Sequence, residues 1–199
     1  MAQFSLYQFQ YFDIQPLTLN LNPHQCLGLA GPSGSGKTRL LRSLADLEPF
    51  KGDMHLDGVS YQDYKPPEWR RRVGLLPAES QWWHDSVGEH FSAWNKDLLL
   101  QLGFAPDVMR WSISRLSSGE KKRLSLLRLL ANQPDVLLLD EPTSNLDPGF
   151  VEKVELLLLD YKKTHAVVCL WVSHDRAQLQ RLTDRVWEIR DKRWREVQI

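Results

Sequence analysis

The feature that most constrains the fold of this chain is a glycine-rich segment at residues 31–38, which reads G-P-S-G-S-G-K-T. It fits the pattern G-x-x-x-x-G-K-[ST], follows a continuously apolar run at residues 26–30 and precedes a leucine-patterned helix at residues 39–47. In this arrangement backbone N–H groups can surround a phosphate, and the helix N-terminus favours an anion. Lys37 is expected to reach the β- and γ-phosphates of a nucleotide, and Thr38 to hold Mg²⁺. The plain alternative is a flexible Gly/Ser loop, which the flanking strand and helix disfavour.

Apolar runs alternate with helical patterns along most of the chain. Buried strands are expected at residues 26–30, 73–76, 136–139 and 166–172, and helices at residues 39–47, 120–131, 148–162 and 175–182. This alternation predicts an α/β fold with a mostly parallel central sheet covered on both faces. Further strands are expected as an N-terminal antiparallel β edge at residues 4–9 and 17–21, as a short hairpin-like piece at residues 51–58, and as a closing pair at residues 186–189 and 193–199.

The stretch from about residue 81 to residue 116 differs from the rest of the chain. It is rich in tryptophan and polar residues and has a helical pattern over residues 87–102. We interpret it as a small helical subdomain within a single domain that spans residues 1–199. Trp82 and Trp83, at its start, either form a surface for a partner helix or pack inside the subdomain.

Charge and hydropathy exclude several classes of protein. The 25 Lys+Arg balance 25 Asp+Glu, so no global basic field would recruit nucleic acid, and no nucleic-acid partner is expected. The basic run at residues 70–72 precedes a buried strand, where a solvated face or local ion pairs are expected. No apolar run approaches the ~20 residues of a membrane-spanning helix. Because residues 1–5 lack a signal-peptide layout, a cytoplasmic location is expected. Cys26 and Cys169 lie in apolar strands and are expected to be core thiols.

Two acidic residues follow the apolar strand at residues 136–139. Ligands of an open parallel sheet collect at the carboxyl ends of its strands, so Asp140 and Glu141 are expected beside the glycine-rich loop. Asp140 is placed to support the metal, and Glu141 to orient or deprotonate a water that attacks the γ-phosphate. The alternative is a strand that ends in a solvated acidic turn.

Three further segments give the chain a family resemblance. Residues 116–120 read L-S-S-G-E at the start of a helix, residues 144–147 read S-N-L-D, and His174 ends the next strand. With the glycine-rich loop and the two acids, this order resembles the ATP-binding subunits of ABC transporters over nearly the whole chain. The resemblance implies the P-loop NTPase fold, with ATP and Mg²⁺ as ligands. In the five-residue signature, Ser118 replaces the family's usual glycine and Glu120 its usual glutamine.

The same resemblance implies that two subunits pair head-to-tail around two ATP molecules, as a homodimer or with a related ATPase subunit. Ser117 and the N–H groups around Gly119 form a second anion site at a helix start. By resemblance, this site meets the ATP of the opposing subunit, and Asp147 touches the opposing loop. His174 would hydrogen-bond the γ-phosphate and position water, although a histidine taken alone is more often a surface or capping residue. The resemblance also implies separate membrane-spanning subunits, against which the chain would dock peripherally at the cytoplasmic face of the inner or plasma membrane.

Adenine is stacked in this family on an aromatic residue near the start of the chain. Tyr11 and Phe12 lie 26 and 25 residues before Lys37, and core packing explains either residue almost as well. The remaining residues expected to contact the nucleotide are Gly31, Pro32, Ser33, Gly34, Ser35, Gly36, Thr38 and Arg39; those expected to contact the opposing subunit's nucleotide are Ser117, Ser118, Gly119, Glu120 and Asp147.

One departure from the family pattern follows the strand at residues 73–76. The family usually has a glutamine, which helps to ligate the metal and senses the membrane partner, about five residues past Val73, where this chain has Ala78. Glu79 and Gln81 lie nearby. Our hypothesis is that Glu79 takes the metal-binding role.

Two other classes of protein share part of this pattern. A small phosphotransferase would share the glycine-rich loop but has no use for the segments at residues 116–120 and 144–147. A non-transport ABC ATPase that acts on a macromolecular partner is the second interpretation. Chromosome-maintenance members insert a long coiled coil between loop and signature, whereas Lys37 and Ser117 are only 80 residues apart here. Translation-factor members carry two cassettes, and this chain has one.

Overall fold

The computed structural model describes residues 3–198, which form two β-sheets and six α-helices. The strands are β1 (Phe4–Tyr11), β2 (Leu17–Leu21), β3 (Cys26–Ala30), β4 (Phe50–Leu56), β5 (Val59–Ser60), β6 (Val73–Leu76), β7 (Val136–Asp140), β8 (Val168–Val172), β9 (Arg185–Arg190) and β10 (Arg193–Val197). The larger sheet has the order β10-β9-β3-β8-β7-β6 and is parallel except for the β9–β10 pair. The smaller sheet, β2-β1-β4-β5, is antiparallel throughout. The predicted α/β fold is confirmed. Residue 199, in the expected last strand, and residues 1–2, in the segment assessed for a signal peptide, lie outside the described residues.

The helices occupy most of the expected positions. They are α1 (Lys37–Leu44), α2 (Pro66–Arg72), α3 (Lys96–Gln101), α4 (Ser118–Ala131), α5 (Pro148–His165) and α6 (Arg176–Leu182). Among the described residues, none of these helices combines the length and the apolar character needed to cross a membrane.

Both faces of the larger sheet are covered, as its continuously apolar strands predict. Strand β7 divides its side chains between two cores: Leu137 and Leu139 join the core that contains α4, α5 and the helical segment. Val136 and Leu138 point to the opposite core, which the sheet shares with α1 and the antiparallel sheet. The carboxyl end of β7 is therefore fixed from both sides.

The parallel register aligns the carboxyl ends of the central strands. Gly28 pairs with Trp171 between β3 and β8, and Asp140 pairs with Val172 between β7 and β8. The glycine-rich loop after β3, the acids at the end of β7 and the residues after β8 consequently meet at one edge of the sheet. This edge carries the candidate site.

Helix α2 was not expected from the sequence. It begins with two prolines, which suit a first helical turn, and it buries Trp69, whose indole Nε1 donates to the Leu44 backbone oxygen at 2.9 Å. Its last turn is basic, and Arg70 and Arg72 form ion pairs with Asp46 and Asp135 at 3.1 and 2.7 Å. The expectation of local ion pairs at residues 70–72 therefore holds for two of the three arginines.

The helical pattern over residues 87–102 corresponds to short separate elements and not to one continuous helix. This region contains a 3₁₀ turn at Gly88–His90 and then the short helix α3, which starts where the Asn95 side chain accepts hydrogen bonds from the N–H groups of Asp97 and Leu98. Two further 3₁₀ turns follow, at Pro106–Arg110 and Ile113–Arg115. The buried side chains of the helical segment belong to the same core as α4 and α5; they include Val87, Leu99, Leu102, Phe104 and Val108.

Candidate nucleotide-binding site

The loop at residues 31–38 has a backbone that only glycine adopts easily at three positions. Gly31, Gly34 and Gly36 have φ angles of +134°, +78° and +103°. A Cβ on Gly31 would lie 2.7 Å from the Ile189 backbone oxygen, whereas one on Gly34 would meet nothing within 4 Å. The loop is therefore packed against the sheet at its start and open at its middle, which leaves room for a ligand against its backbone.

Helix α1 starts at Lys37, within the last two residues of this segment. Its N-cap is Gly36, which offers no side-chain hydrogen bond to the first helical N–H groups, and the first turn carries no acidic residue. These N–H groups are the ones that an anion stabilises at a helix start. The helix start therefore fits a phosphate.

Lys37 lies across the loop that precedes it. Its Nζ donates to the backbone oxygens of Gly31 and Pro32 at 2.8 and 3.0 Å. Burial lowers the pKa of Lys37, and the nearby carboxylates of Glu141 and Asp140 raise it. The ammonium group is thus held beside the loop by backbone acceptors that a phosphate can replace.

Thr38 and Asp140 meet across the edge of the sheet. Oγ1 of Thr38 donates to Oδ2 of Asp140 at 2.8 Å, although 102 positions separate them. A hydroxyl and a carboxylate form a hard oxygen set that suits Mg²⁺. Among the described residues there is no group of three or more His, Cys, Asp or Glu side chains that could hold a metal ion. The set fits Mg²⁺, which usually binds through one or two protein ligands, waters and substrate phosphates.

Glu141 is held in a strained conformation beside this pair. Its φ angle is +49°, its N–H donates to the Val172 backbone oxygen at 3.2 Å, and its own backbone oxygen accepts from Ser144 Oγ at 2.9 Å. The carboxylate lies 3.6 Å from the ring, measured from Oε1 to Nε2 of His174, and Oε1 is buried without a hydrogen-bond partner. An unsatisfied buried oxygen of this kind is placed to accept from a ligand or a water.

The pKa of the Glu141 carboxyl is raised above its ordinary value. Burial is the main cause and the Asp140 carboxylate adds to it, while His174 and Lys37 act in the opposite direction. A carboxylate with a raised pKa is a better proton acceptor than a solvated one.

The signature segment caps helix α4. Ser117 is the N-cap, and Glu120 closes a reciprocal capping box: Ser117 N–H and Oγ donate to Glu120 Oε2 at 2.8 and 2.9 Å, and Glu120 N–H donates to Ser117 Oγ at 3.2 Å. Hydrogen bonds from Ser117 lower the pKa of Glu120, which keeps the carboxylate ionised. Ser117 lies at a helix start, where the anion site is expected, but its hydroxyl donates to this chain's own Glu120.

Residues 144–147 pack against the signature. A Cβ on Gly119 would lie 3.1 Å from the backbone oxygen of Asn145, whose φ angle is +61°. Asp147 is the N-cap of α5, makes no side-chain capping bond there and is exposed, as are Ser117 and Ser118. Within residues 3–198, no hydrogen bond or ion pair joins residues 117–120 to the loop at residues 31–38.

Of the two aromatic residues proposed to stack adenine, only Phe12 offers a ring. Tyr11 is 2% exposed and its hydroxyl is buried without a partner, so the proposal for Tyr11 is corrected to a core role. Phe12 is 66% exposed, and its ring lies 4.1 Å from the guanidinium of Arg39 on α1.

The segment after β6 has no glutamine at the expected position. Ala78 is partly buried, and the side chains of Glu79 and Gln81 are exposed. The backbone oxygens of Pro77 and Ala78 accept hydrogen bonds from Lys122 on α4, a contact that sequence reasoning missed. Its only signal in the sequence is a lysine inside the apolar stripe of a helix.

Comparison with known proteins gives the family of this chain. The family model described as "ABC transporter" matches residues 14–144. Protein STAR1 of Oryza sativa subsp. japonica is 38% identical over 173 residues, which are 80% of this chain and 50% of that protein. ABC transporter I family member 17 of Arabidopsis thaliana is 35% identical over 86% of this chain and 70% of its own length. The Fe(3+) ions import ATP-binding protein FbpC of Streptomyces coelicolor is 33% identical over 88% of this chain and 54% of its own length.

A solved structure shares the fold. The bacterial Atm1-family ABC exporter with ATP bound superposes with a TM-score of 0.85 at 18% identity, over 98% of this chain and 38% of that one. The chain thus spans half of STAR1, and a smaller part of the exporter. The family match implies ATP binding and confirms the expected ABC-type ATPase class. The match over residues 14–144, the 35% identity with the Arabidopsis protein and the shared fold show that this chain belongs to the ABC transporter family, among its ATP-binding members.

Proposed function

We propose that this chain binds ATP with Mg²⁺ and hydrolyses it, in a head-to-tail dimer that powers transport through separate membrane-spanning subunits. The observation that carries the proposal is the grouping of Thr38, Asp140, Glu141 and His174 at the sheet edge that bears the phosphate-type loop. The relatives' names, which describe ATP-binding proteins of transport systems, support the same function.

The reaction follows from the positions of these side chains. The loop N–H groups and Lys37 bind the β- and γ-phosphates, and Thr38 and Asp140 hold Mg²⁺, which neutralises phosphate charge when bound. Glu141 orients a water and accepts its proton as the water oxygen bonds to the γ-phosphorus. The bond between that phosphorus and the bridging oxygen breaks, and ADP leaves. His174, beside Glu141, orients the water and the γ-phosphate.

A second subunit completes the site in this proposal. Ser117 and Ser118 of the signature are exposed, and among the described residues no hydrogen bond or ion pair joins residues 117–120 to the loop of the same chain. A closed two-fold pair would place each signature against the other subunit's loop, with Asp147 beside it. Ser117 then stabilises the opposing γ-phosphate, with Ser118, Gly119 and Glu120 around it.

Changing Glu141 to Gln tests the proposal. The variant is expected to keep its ATP affinity, to lose turnover by about a hundredfold or more, and to accumulate as a dimer with ATP in size-exclusion chromatography. A variant that stays monomeric with ATP, or that keeps full turnover, contradicts the proposal.

Glu79 is proposed to supply a carboxylate near the metal, in place of the family's glutamine. Its neighbour Gln81 gives a matched comparison, because both side chains are exposed in the same segment. Glu79→Ala should raise the Mg²⁺ concentration needed for hydrolysis, whereas Gln81→Ala should leave it unchanged. The reverse result assigns the role to Gln81.

We propose that the chain binds peripherally at the cytoplasmic face of the inner or plasma membrane. The membrane-spanning subunits would contact it near Trp82 and Trp83. Trp83 is 66% exposed, which is unusual for so large a ring.

The alternative function is a non-transport ABC ATPase acting on a macromolecular partner. Pull-down of the full chain from solubilised membranes separates the two: a multi-spanning protein supports transport, and recovery of a soluble partner in its place supports the alternative.

A further inference from the structure

Lys122, on α4, is buried beside the carboxyl end of β6, and the proposed mechanism does not use it. Only 5% of this residue is exposed. Its Nζ donates to the backbone oxygen of Pro77 at 3.3 Å and makes a short hydrogen bond to the backbone oxygen of Ala78. Two carbonyl oxygens of the segment after β6 are thus held by one ammonium group.

The acids of the candidate site offset part of the effect of burial on this lysine, whose pKa stays below its ordinary value. Lysine is almost never fully buried without a partner. Burial lowers the pKa of Lys122, whereas the carboxylates of Asp140, Glu141 and Glu79 raise it. The ammonium therefore lies in the field of the two acids that end β7 and of the acid that follows Ala78.

Helix α4 holds the same segment at a second point. Six residues after Lys122, the guanidinium of Arg128 donates from Nη2 to the Gln81 backbone oxygen at 3.2 Å. It also lies 4.6 and 5.0 Å from the ring centres of Trp82 and Trp83. Residues 77–83 are consequently attached along α4, the helix that begins at the signature.

We propose that Lys122 is a positioning residue that fastens the segment after β6 to α4 and sets its place relative to Asp140 and Glu141. Ala78 has no side chain that could link this segment to the site, and its backbone oxygen is held by Lys122 instead. The inference rests on the proposed ATP hydrolysis. The attachment of residues 77–83 to α4 is independent of it and can be measured without nucleotide.

Two substitutions of Lys122 separate its hydrogen bonds from its bulk. Lys122→Met keeps an unbranched apolar stem and removes every donor, whereas Lys122→Gln keeps a neutral N–H donor. In the nucleotide-free chain, hydrogen–deuterium exchange of residues 77–84 should be about tenfold faster in Lys122→Met and about threefold faster in Lys122→Gln. The kcat for ATP should fall by about tenfold and threefold in the same order, with ATP dissociation constants within about twofold of wild type.

The control is Lys163→Met, the same substitution at an exposed position of α5. It should change neither exchange in residues 77–84 nor kcat. Wild-type exchange in a folded Lys122→Met chain overturns the proposal, and so does a loss of ATP affinity with kcat unchanged. If Lys122→Met does not fold, wild-type exchange and kcat in Lys122→Gln overturn it. If the wild-type chain fails to hydrolyse ATP, the proposed function is wrong, and the exchange rates alone still decide whether Lys122 fastens the segment.

Discussion

Thr38 Oγ1 and Asp140 Oδ2 form a 2.8 Å hydrogen bond that joins the first turn of α1 to the carboxyl end of β7. Asp140 is 2% exposed, whereas Thr38 is open to solvent. The two oxygens are therefore brought together by the fold itself, before any metal binds. A cation that displaces this hydrogen bond would find both oxygen ligands in place.

Substitution of either member of this pair should weaken the binding of Mg²⁺ and so raise the Mg²⁺ concentration that hydrolysis needs. We expect Thr38→Val to raise the Mg²⁺ concentration at half-maximal hydrolysis by about tenfold and Asp140→Asn by more, because only the latter removes a charge. The measurement is a Mg²⁺ titration at saturating ATP.

Melting temperatures in EDTA provide the control. Asp140→Asn removes a buried carboxylate that lacks its metal, so the metal-free variant should melt no lower than wild type. Unchanged Mg²⁺ titrations in both variants would show that the metal is held elsewhere.

The raised pKa of Glu141 predicts a stabilising substitution. The pKa of the Glu141 carboxyl is higher in the folded chain than in the unfolded chain. Such a group stabilises the fold at pH values below its pKa in the unfolded chain, and this stabilisation is lost as the pH rises through its pKa in the folded chain. At neutral pH, Glu141 is thus ionised at a cost in folding free energy. Glu141→Gln should therefore melt higher than wild type at pH 7.5 without nucleotide, and the difference should shrink as pH falls toward the ordinary value of 4.5.

Glu89 serves as a control of opposite sign for that measurement. Hydrogen bonds from the Ser86 hydroxyl and N–H lower the pKa of Glu89. Its contribution to stability is present above the unfolded pKa and is lost as pH falls, so Glu89→Gln should melt lower than wild type at pH 7.5. Equal melting curves for wild type and Glu141→Gln across this pH range would contradict the burial of the Glu141 charge.

The sequence predicts the polar edge of the larger sheet well because parallel strands leave little freedom there. The apolar runs of the sequence mark the strands, so the residues that follow each strand are known. The parallel register then brings Asp140 and His174 to the loop. The helical segment could not be predicted in the same way. Its 3₁₀ turns and the cap at Asn95 depend on packing against α4 and α5, which no periodicity records.

Tyr11 and Phe12 could not be distinguished from the sequence because a bulge interrupts β1. Leu6 and Phe9 are both buried, and the register shifts between them, where Gln8 has a φ angle of +46°. A one-residue shift moves all later side chains to the other face. Tyr11 consequently points into the core and Phe12 outward.

Nucleotide affinity should therefore depend on Phe12 and not on the Tyr11 hydroxyl. Phe12→Ala removes an exposed ring beside α1 and should weaken ATP binding by about tenfold, the loss expected for one base stacked on an aromatic ring. Tyr11→Phe removes a hydroxyl without a hydrogen-bond partner and should leave the ATP dissociation constant unchanged without lowering stability. Isothermal titration of both variants checks this. Wild-type affinity in Phe12→Ala would place adenine elsewhere.

The capping box of α4 predicts opposite effects of two neighbouring substitutions on the ATP-dependent dimer. Ser117→Ala removes the cap and the proposed phosphate donor, so it should lower the free energy of unfolding by about 1 kcal/mol and abolish the dimer. Glu120→Gln removes the negative charge that accepts the hydrogen bond of the Ser117 hydroxyl and that, in the proposed dimer, would lie near the opposing phosphate. The Ser117 hydroxyl is then freer to donate to the γ-phosphate, and the repulsion between carboxylate and phosphate disappears.

The dimer constants are best compared in the Glu141→Gln background, where turnover does not deplete ATP. Glu120→Gln should tighten the dimer by several-fold at low salt and by less at high salt, because salt screens the repulsion that it removes. A weaker dimer in Glu120→Gln would mean that the carboxylate itself contacts the opposing nucleotide as an acceptor. In that case the capping box opens on dimer formation, and Ser117 and Glu120 bind separate groups of the same ATP.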